Sequence, residues 1–356
     1  MTDTTSTLAT HPTPLSAEVA RADALDAEGR HADALVQLVA GVHGQDHEAL
    51  TRLGKRLLIG DRAPYKPGEA AGFLADAVRL GNAEAAAIQA TLRVMSATDA
   101  EHLRHALNDL ALAAERGFAP AQQQLIVLAG GAGSSAPARA WQATAHTFDC
   151  TGWLAAPASY ELHADPRVHK VEHFVPLAMC RWLVERARGR LARAEVYDGV
   201  SRTTTTHSTR TNSAALFNLL DTDCVLALVQ LRIARSLGLP FRHLEPAAVL
   251  HYAPGEEIRP HFDFVDPQVP DHATEIARRG QRVVTFLVYL NDDYGDGHTD
   301  FPRLGLSHRG TGGDALYFVN ALPDGKADLR TLHAGRPPTN GEKWIVSQFV
   351  RDRPTL

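Results

Sequence analysis

Cysteine is scarce: three in 356 residues, and Cys150, Cys180 and Cys224 stand far apart with no CxxC pair. That count excludes a disulfide framework and fits a reducing compartment. No stretch approaches 18 consecutive apolar residues, so no membrane span is predicted. The start, residues 1–16, is rich in Thr, Ser and Pro and lacks a basic region leading into an apolar one. It reads as a disordered terminus rather than a secretory signal, and cytoplasm is the expected compartment. There is no excess of positive charge either. Lys plus Arg is 36 against 41 for Asp plus Glu, a formal charge of −5, so no global field draws nucleic acid or anionic lipid. Neither partner is expected. The apolar share of 44% and charged share of 22% exclude a mostly disordered chain and a collagen-like repeat. The length itself suggests two domains.

Residues 17–130 are dominated by Ala, Leu and Glu, with few strand formers. In Glu101–Gly117, Leu103, Leu107, Leu110 and Ala114 recur at three- and four-residue steps, one apolar face of a helix that Gly117 ends. Asp46-His47-Glu48-Ala49, Asn82-Ala83-Glu84-Ala85 and Phe118-Ala119-Pro120-Ala121 repeat at a 36-residue step, with Ala49, Ala85 and Ala121 in one phase. A small residue at each helix crossing lets helices approach closely, which predicts stacked helical hairpins. This segment resembles Sel1-like or tetratricopeptide-type repeats. An Ala-rich bundle with a chance period is the plainer alternative. Gly130 to Pro137 is small-residue rich, so residues 131–145 are the expected linker and 146–356 a second domain with its core at 205–352. There, Val249–Tyr252, Arg282–Leu290, Ala315–Val319 and Trp344–Val350 are β-branched and aromatic runs bounded by turn clusters, which predicts a sandwich or barrel. Helices are expected over Phe174–Ala192 and Asp223–Gly238. The fold class predicted is α+β and multidomain.

The chemistry concentrates in Arg259-Pro260-His261-Phe262-Asp263-Phe264. On a strand, residues two apart share a face, so His261 and Asp263 would project into one volume. An H-x-D pair alone is common by chance. His333, in Leu332-His333-Ala334-Gly335, completes two imidazoles and one carboxylate. That is the facial triad of non-haem Fe(II), which leaves three coordination positions open. Zinc accepts the same donors, so ligand type does not select iron. Lys343, at the start of the apolar run Trp344–Val350, would be costly to bury unpaired. It is either a lysine at an exposed strand end or the partner of a bound dicarboxylate.

Further pieces accompany these in order: Arg210-Thr211-Asn212-Ser213, His251 to Glu256, Thr285 to Asn291, Gly297-His298-Thr299-Asp300-Phe301-Pro302, Gly313-Asp314-Ala315-Leu316 and Gly341-Glu342-Lys343-Trp344. Together they resemble the prolyl 4-hydroxylase-like branch of the 2-oxoglutarate- and Fe(II)-dependent dioxygenases. The resemblance implies a double-stranded β-helix, or jelly roll, flanked by helices. It implies His261, Asp263 and His333 as iron ligands and Lys343 as the partner of the distal carboxylate of 2-oxoglutarate. It also implies Tyr252 and Thr299 in the co-substrate pocket and Arg210 near the substrate end. No catalytic residue is implied beyond the metal centre. The family's usual Gly-Gly-Glu-Thr is here Asp296-Gly297-His298-Thr299, and His298 is not expected to be a ligand. The segment Val265–Gln281 reads as a polar loop beside the ligands.

The cofactor set so implied is Fe(II), 2-oxoglutarate and O₂, with ascorbate as reductant. The implied reaction is hydroxylation of an unactivated C–H. The favoured target is a prolyl residue of a protein or peptide, as in procollagen-proline 4-dioxygenase, recruited by the helical repeats. A free amino acid or small metabolite is the alternative substrate. A non-catalytic, repeat-containing adaptor that retains the metal site is the alternative of another class. Nucleic-acid dealkylation is disfavoured by the net charge and by a lysine where dealkylating relatives tend to use arginine.

Overall fold

Short polar residues and glycines set the helix boundaries. The computed structural model describes residues 16–131, 140–193, 196–198, 203–205, 210–322 and 324–355. Apart from Ser16, the expected disordered terminus lies outside the described residues, as do 132–139 of the expected linker. The first helices are α1 (Ala17–Ala27), α2 (His31–His43), α3 (His47–Ile59), α4 (Pro67–Arg79), α5 (Ala83–Ser96), α6 (Ala100–Glu115) and α7 (Ala119–Leu128). The Ser16 side chain accepts from Val19 N–H to start α1, and Asp46 accepts from Glu48 N–H to start α3, which satisfies orphan donors of the first turn. Gly60 ends α3 in the left-handed region at φ 71°. Helices α3, α5 and α7 start at His47, Ala83 and Ala119, in step with the repeat, and Ala49, Ala85 and Ala121 are fully buried. At the α2–α3 contact a Cβ on Gly41 would lie 2.6 Å from the Ala49 Cβ. Only small residues permit that approach.

The chain divides into two compact units, Met1–Gln89 and Ala90–Leu356. The division falls inside α5, well before the glycine-rich stretch at 131–145 that composition marks as a linker. The reason is specific bonding. Helix α7 packs on α10 (Leu177–Arg188) and α11 (Cys224–Leu237). The Gln124 side chain of α7 accepts from Cys224 N–H at 2.9 Å, capping the first turn of α11. The short helices α8 (Trp141–His146) and α9 (Cys150–Leu154) pack on α6, and Trp153 donates to the Leu228 carbonyl at 2.9 Å. Small-residue composition reports chain flexibility; it does not report side chains that bond across the stretch.

The remaining elements are β1 (Tyr160–His163), β2 (Val168–Val171), β3 (Ala192–Arg193), β4 (Val196–Asp198), β5 (Thr203–Thr205), β6 (Ser213–Phe217), β7 (Ala247–Tyr252), β8 (Ile258–His261), α12 (Pro270–Arg279), β9 (Arg282–Tyr289), β10 (Thr299–Phe301), β11 (Leu306–His308), β12 (Ala315–Val319), β13 (His333–Gly335) and β14 (Lys343–Arg351). One sheet runs β1-β2-β12-β9-β14-β7-β6-β3, a second β11-β10-β13-β8, and β4 pairs with β5 alone. From β7 to β14 the chain crosses repeatedly between the two larger sheets. That alternation is the double-stranded β-helix. Leu250, Tyr252, Leu287, Tyr289 and Ile345 from the large sheet and Ile258 and Phe301 from the small one share one core. Each fully buried aliphatic or aromatic side chain contributes roughly 1.5–3 kcal/mol. Helix α11 is buried almost all round, and its Gln230 donates to Gln348 of β14 at 2.9 Å. Among the described residues no helix is long and apolar enough to cross a membrane.

Two local expectations differ. Strand β8 ends at His261, so Asp263 lies just beyond the strand. The segment Val265–Gln281 contains a helix, α12, with proline in its first turn, Arg278 and Arg279 in its last, and Gly280 after it. Those are ordinary start and stop signals. The polar composition of the segment hid them.

Candidate metal and co-substrate site

Strands β8 and β13 are antiparallel neighbours, and His333 sits directly across from His261. Their ring centroids are 4.3 Å apart. Nδ1 of His261 is 2.9 Å from the Arg259 carbonyl, and Nδ1 of His333 is 3.0 Å from the Thr331 carbonyl. A carbonyl only accepts, so each Nδ1 carries the proton and each Nε2 presents a lone pair. Both lone pairs face Asp263: Nε2 of His261 is 3.4 Å from Oδ1, and Nε2 of His333 is 3.2 Å from Oδ2. One ligand atom from each residue lies within 4.8 Å of the others. His298 is not part of this group; it is half-buried, and its carbonyl accepts from Arg336 N–H.

Burial lowers the pKa of His261, and the neighbouring His333 lowers it further. Burial also pushes Asp263 up, but His333 and His261 outweigh it and hold the carboxyl well below its ordinary value. The two Nε2 atoms and a carboxylate oxygen of Asp263 thus converge on one volume, and two imidazoles with one carboxylate suit a divalent metal. The carboxylate is held from behind. Oδ2 accepts from the Thr285 hydroxyl at 2.8 Å, and the Thr285 oxygen accepts from the Asn320 amide at 2.9 Å.

The triad forms one part of a cavity that also holds Arg210, Tyr252, Thr299 and Lys343 among apolar walls from Leu250, Ile258, Leu287 and Ile345. Lys343 opens β14 opposite Tyr252. It is 0% exposed, and its Nζ has no hydrogen-bonding partner among the described residues. Nζ lies 5.0 Å from the centre of the Tyr252 ring and 6.0 Å from that of Tyr289. Burial pushes its pKa down to about 7, against a weaker pull from Asp300. An unpaired ammonium here costs several kcal/mol, and a bound carboxylate would recover it. Thr299 is buried with its hydroxyl 3.0 Å from that of Tyr289. Arg210 pairs with Ile258 through its backbone, and its Nε is also buried without a partner. All seven residues singled out in the sequence thus meet in one cavity.

The profile of the 2OG-Fe(II) oxygenase superfamily matches residues 247–351, which span β7 to β14. A putative prolyl 4-hydroxylase of Acanthamoeba polyphaga mimivirus is 32% identical over 175 residues, 49% of this chain and 69% of that one. The chain belongs to the prolyl 4-hydroxylase family of 2OG-Fe(II) oxygenases. Prolyl 4-hydroxylase subunit alpha-1 of Rattus norvegicus is 31% identical over 56% of this chain, but this chain spans only 38% of that subunit's length. Among solved structures, the viral collagen prolyl hydroxylase of Paramecium Bursaria Chlorella virus-1, in its 2OG complex, is 25% identical, with 52% of this chain and 95% of that chain covered and a TM-score of 0.40.

Within this prolyl 4-hydroxylase family member, several site residues escaped sequence reasoning. Thr285, Leu287 and Tyr289 occupy alternate positions of β9, and that period-two pattern was the available signal. Tyr294 and Asn320 gave none, because each lies in irregular chain beyond the end of a strand, β9 and β12 respectively. Gly297 is required where it stands. Its φ is 66°, and a Cβ would lie 2.8 Å from the Tyr294 ring and 3.4 Å from Cδ of Lys343. Asp296, where the family resemblance expects glycine, takes φ 55°, a conformation aspartate tolerates better than most residues.

Proposed function

We propose that this protein is a 2-oxoglutarate- and Fe(II)-dependent dioxygenase that hydroxylates a prolyl residue of a protein or peptide. The observation that carries the reading is Lys343 Nζ, fully buried in the cavity that holds the triad and without a hydrogen-bonding partner among the described residues. A zinc hydrolase has no use for an orphan ammonium there; a dicarboxylate that also chelates the metal does. His261, Asp263 and His333 would hold the ion on one face. Bound there with 2-oxoglutarate, Fe(II) supplies oxygen activation coupled to decarboxylation of the co-substrate. Lys343 pairs with the distal carboxylate, and Tyr252 and Thr299 flank it. The apolar walls keep bulk water from the reacting end. Arg210 contacts the substrate.

The prolyl target is supported by the names of the relatives that match, and ascorbate as reductant belongs to the same reading. We further assign the helices from α1 onward to a Sel1-like stack that recruits the target, in a cytoplasmic protein. The test is succinate release from anaerobically iron-loaded protein on admission of oxygen. Proline-containing peptides should stimulate release and gain one oxygen. Iron binding without release across such peptides would leave an adaptor, and release driven only by free amino acids would leave a small-metabolite enzyme. For recruitment, a chain lacking α1–α4 should lose turnover of a whole protein target but keep turnover of a short peptide.

A further inference from the structure

Asn320 lies just past the end of β12, fully buried, and bonds in two directions. Its amide donates to Thr285 Oγ1, whose single proton goes to Asp263 Oδ2. Because a carboxylate only accepts, the order of this relay is fixed, and the Asn320 side chain cannot be turned round. Its backbone carbonyl accepts from Asp328 N–H at 2.8 Å. The Asp328 carbonyl in turn accepts from the Thr331 hydroxyl at 2.7 Å, and the Thr331 carbonyl takes the Nδ1 proton of His333 at 3.0 Å. One residue thus braces two of the three ligands, through its side chain on one route and its backbone on the other. The remaining side-chain atom, Oδ1, is buried with no partner among the described residues. A residue kept for packing alone would avoid that cost, as a leucine does.

We infer that Asn320 and Thr285 are positioning residues of the metal centre, aiming the Asp263 carboxylate at the ion, an inference that rests on the metal reading above. The test uses chelator-stripped full-length protein titrated anaerobically with Co(II), reading both affinity and the visible spectrum of the bound ion. Thr285→Val is isosteric and should weaken Co(II) binding about tenfold or more, as loss of an outer partner does elsewhere, while Thr285→Ser stays near the parent protein. Asn320→Leu should weaken binding similarly while leaving the metal-free melting temperature unchanged or higher. The double variant should be little worse than either single one, since both cut the same relay. Thr285→Val with parent-like affinity and spectrum would overturn the inference and leave the metal reading intact. Parent protein that fails to bind Co(II) would overturn both.

Discussion

The two ends of the cavity are built on opposite plans. At the metal end each of the three candidate ligands has a support: Arg259 and Thr331 carbonyls fix the imidazoles, and Thr285 fixes the carboxylate. At the lysine end Lys343 sits among aromatic rings, and its amine has no hydrogen-bonding partner among the described residues. The difference teaches what each end waits for. A metal ligand must be held before the ion arrives, since its geometry selects the ion. A charge that meets a large anion can be left unsatisfied, because the anion brings both the countercharge and the hydrogen-bond acceptors.

Substitutions at the two ends should therefore behave differently. The largest effect is expected at the metal end: His333→Ala should abolish turnover and weaken Co(II) binding by at least about 100-fold, measured by titration, because one of three ligands is gone. At the other end Lys343→Met should weaken 2-oxoglutarate binding roughly 10- to 100-fold by calorimetry. Yet it should raise the stability of the ligand-free protein by about 1–3 kcal/mol in denaturant unfolding, since an orphan charge is replaced by an apolar chain. A fall in stability would remove the contrast between the two ends.

The pH dependence sharpens it further. The folded-state pKa of Lys343 is lowered from 10.5 to about 7, so between about 7 and 10.5 the unfolded chain holds a proton that the folded chain lacks. Stability of the ligand-free protein should therefore rise with pH across that window and be flat on either side of it. Binding has the opposite sign, since the carboxylate needs the protonated amine. Affinity for 2-oxoglutarate should be flat below about pH 7 and fall up to tenfold per pH unit above it. Lys343→Met should flatten both profiles. The smallest effect is expected at the wall: Gly297→Ala, strained at φ 66° and crowding Lys343, should cost about 1–2 kcal/mol of stability and weaken 2-oxoglutarate binding severalfold, with metal affinity unchanged.

Much of this site could be read in the sequence, for physical reasons that also mark the limit. His261, Asp263, His333 and Lys343 carry chemistry that few other roles explain in combination, and the longer strands of the large sheet are β-branched and aromatic runs. The β9, β12 and β14 boundaries accordingly fall within a residue of expectation. Helix α12 was missed because its polar face and short length resemble a loop. The glycine-rich stretch does not leave its two sides unconnected, because Gln124 of α7 accepts from Cys224 of α11 across it. The Thr285–Asn320 relay was invisible, since a threonine in a strand and an asparagine after one are ordinary until coordinates bring them to a carboxylate.

The most direct test compares two ligands on Co(II)-loaded protein under anaerobic conditions: 2-oxoglutarate, and 2-oxobutyrate, which keeps the chelating keto acid but lacks the distal carboxylate. The account predicts that the parent protein binds 2-oxoglutarate at least about tenfold more tightly, and that Lys343→Met binds the two alike. Equal affinity of the parent protein for both ligands would contradict it.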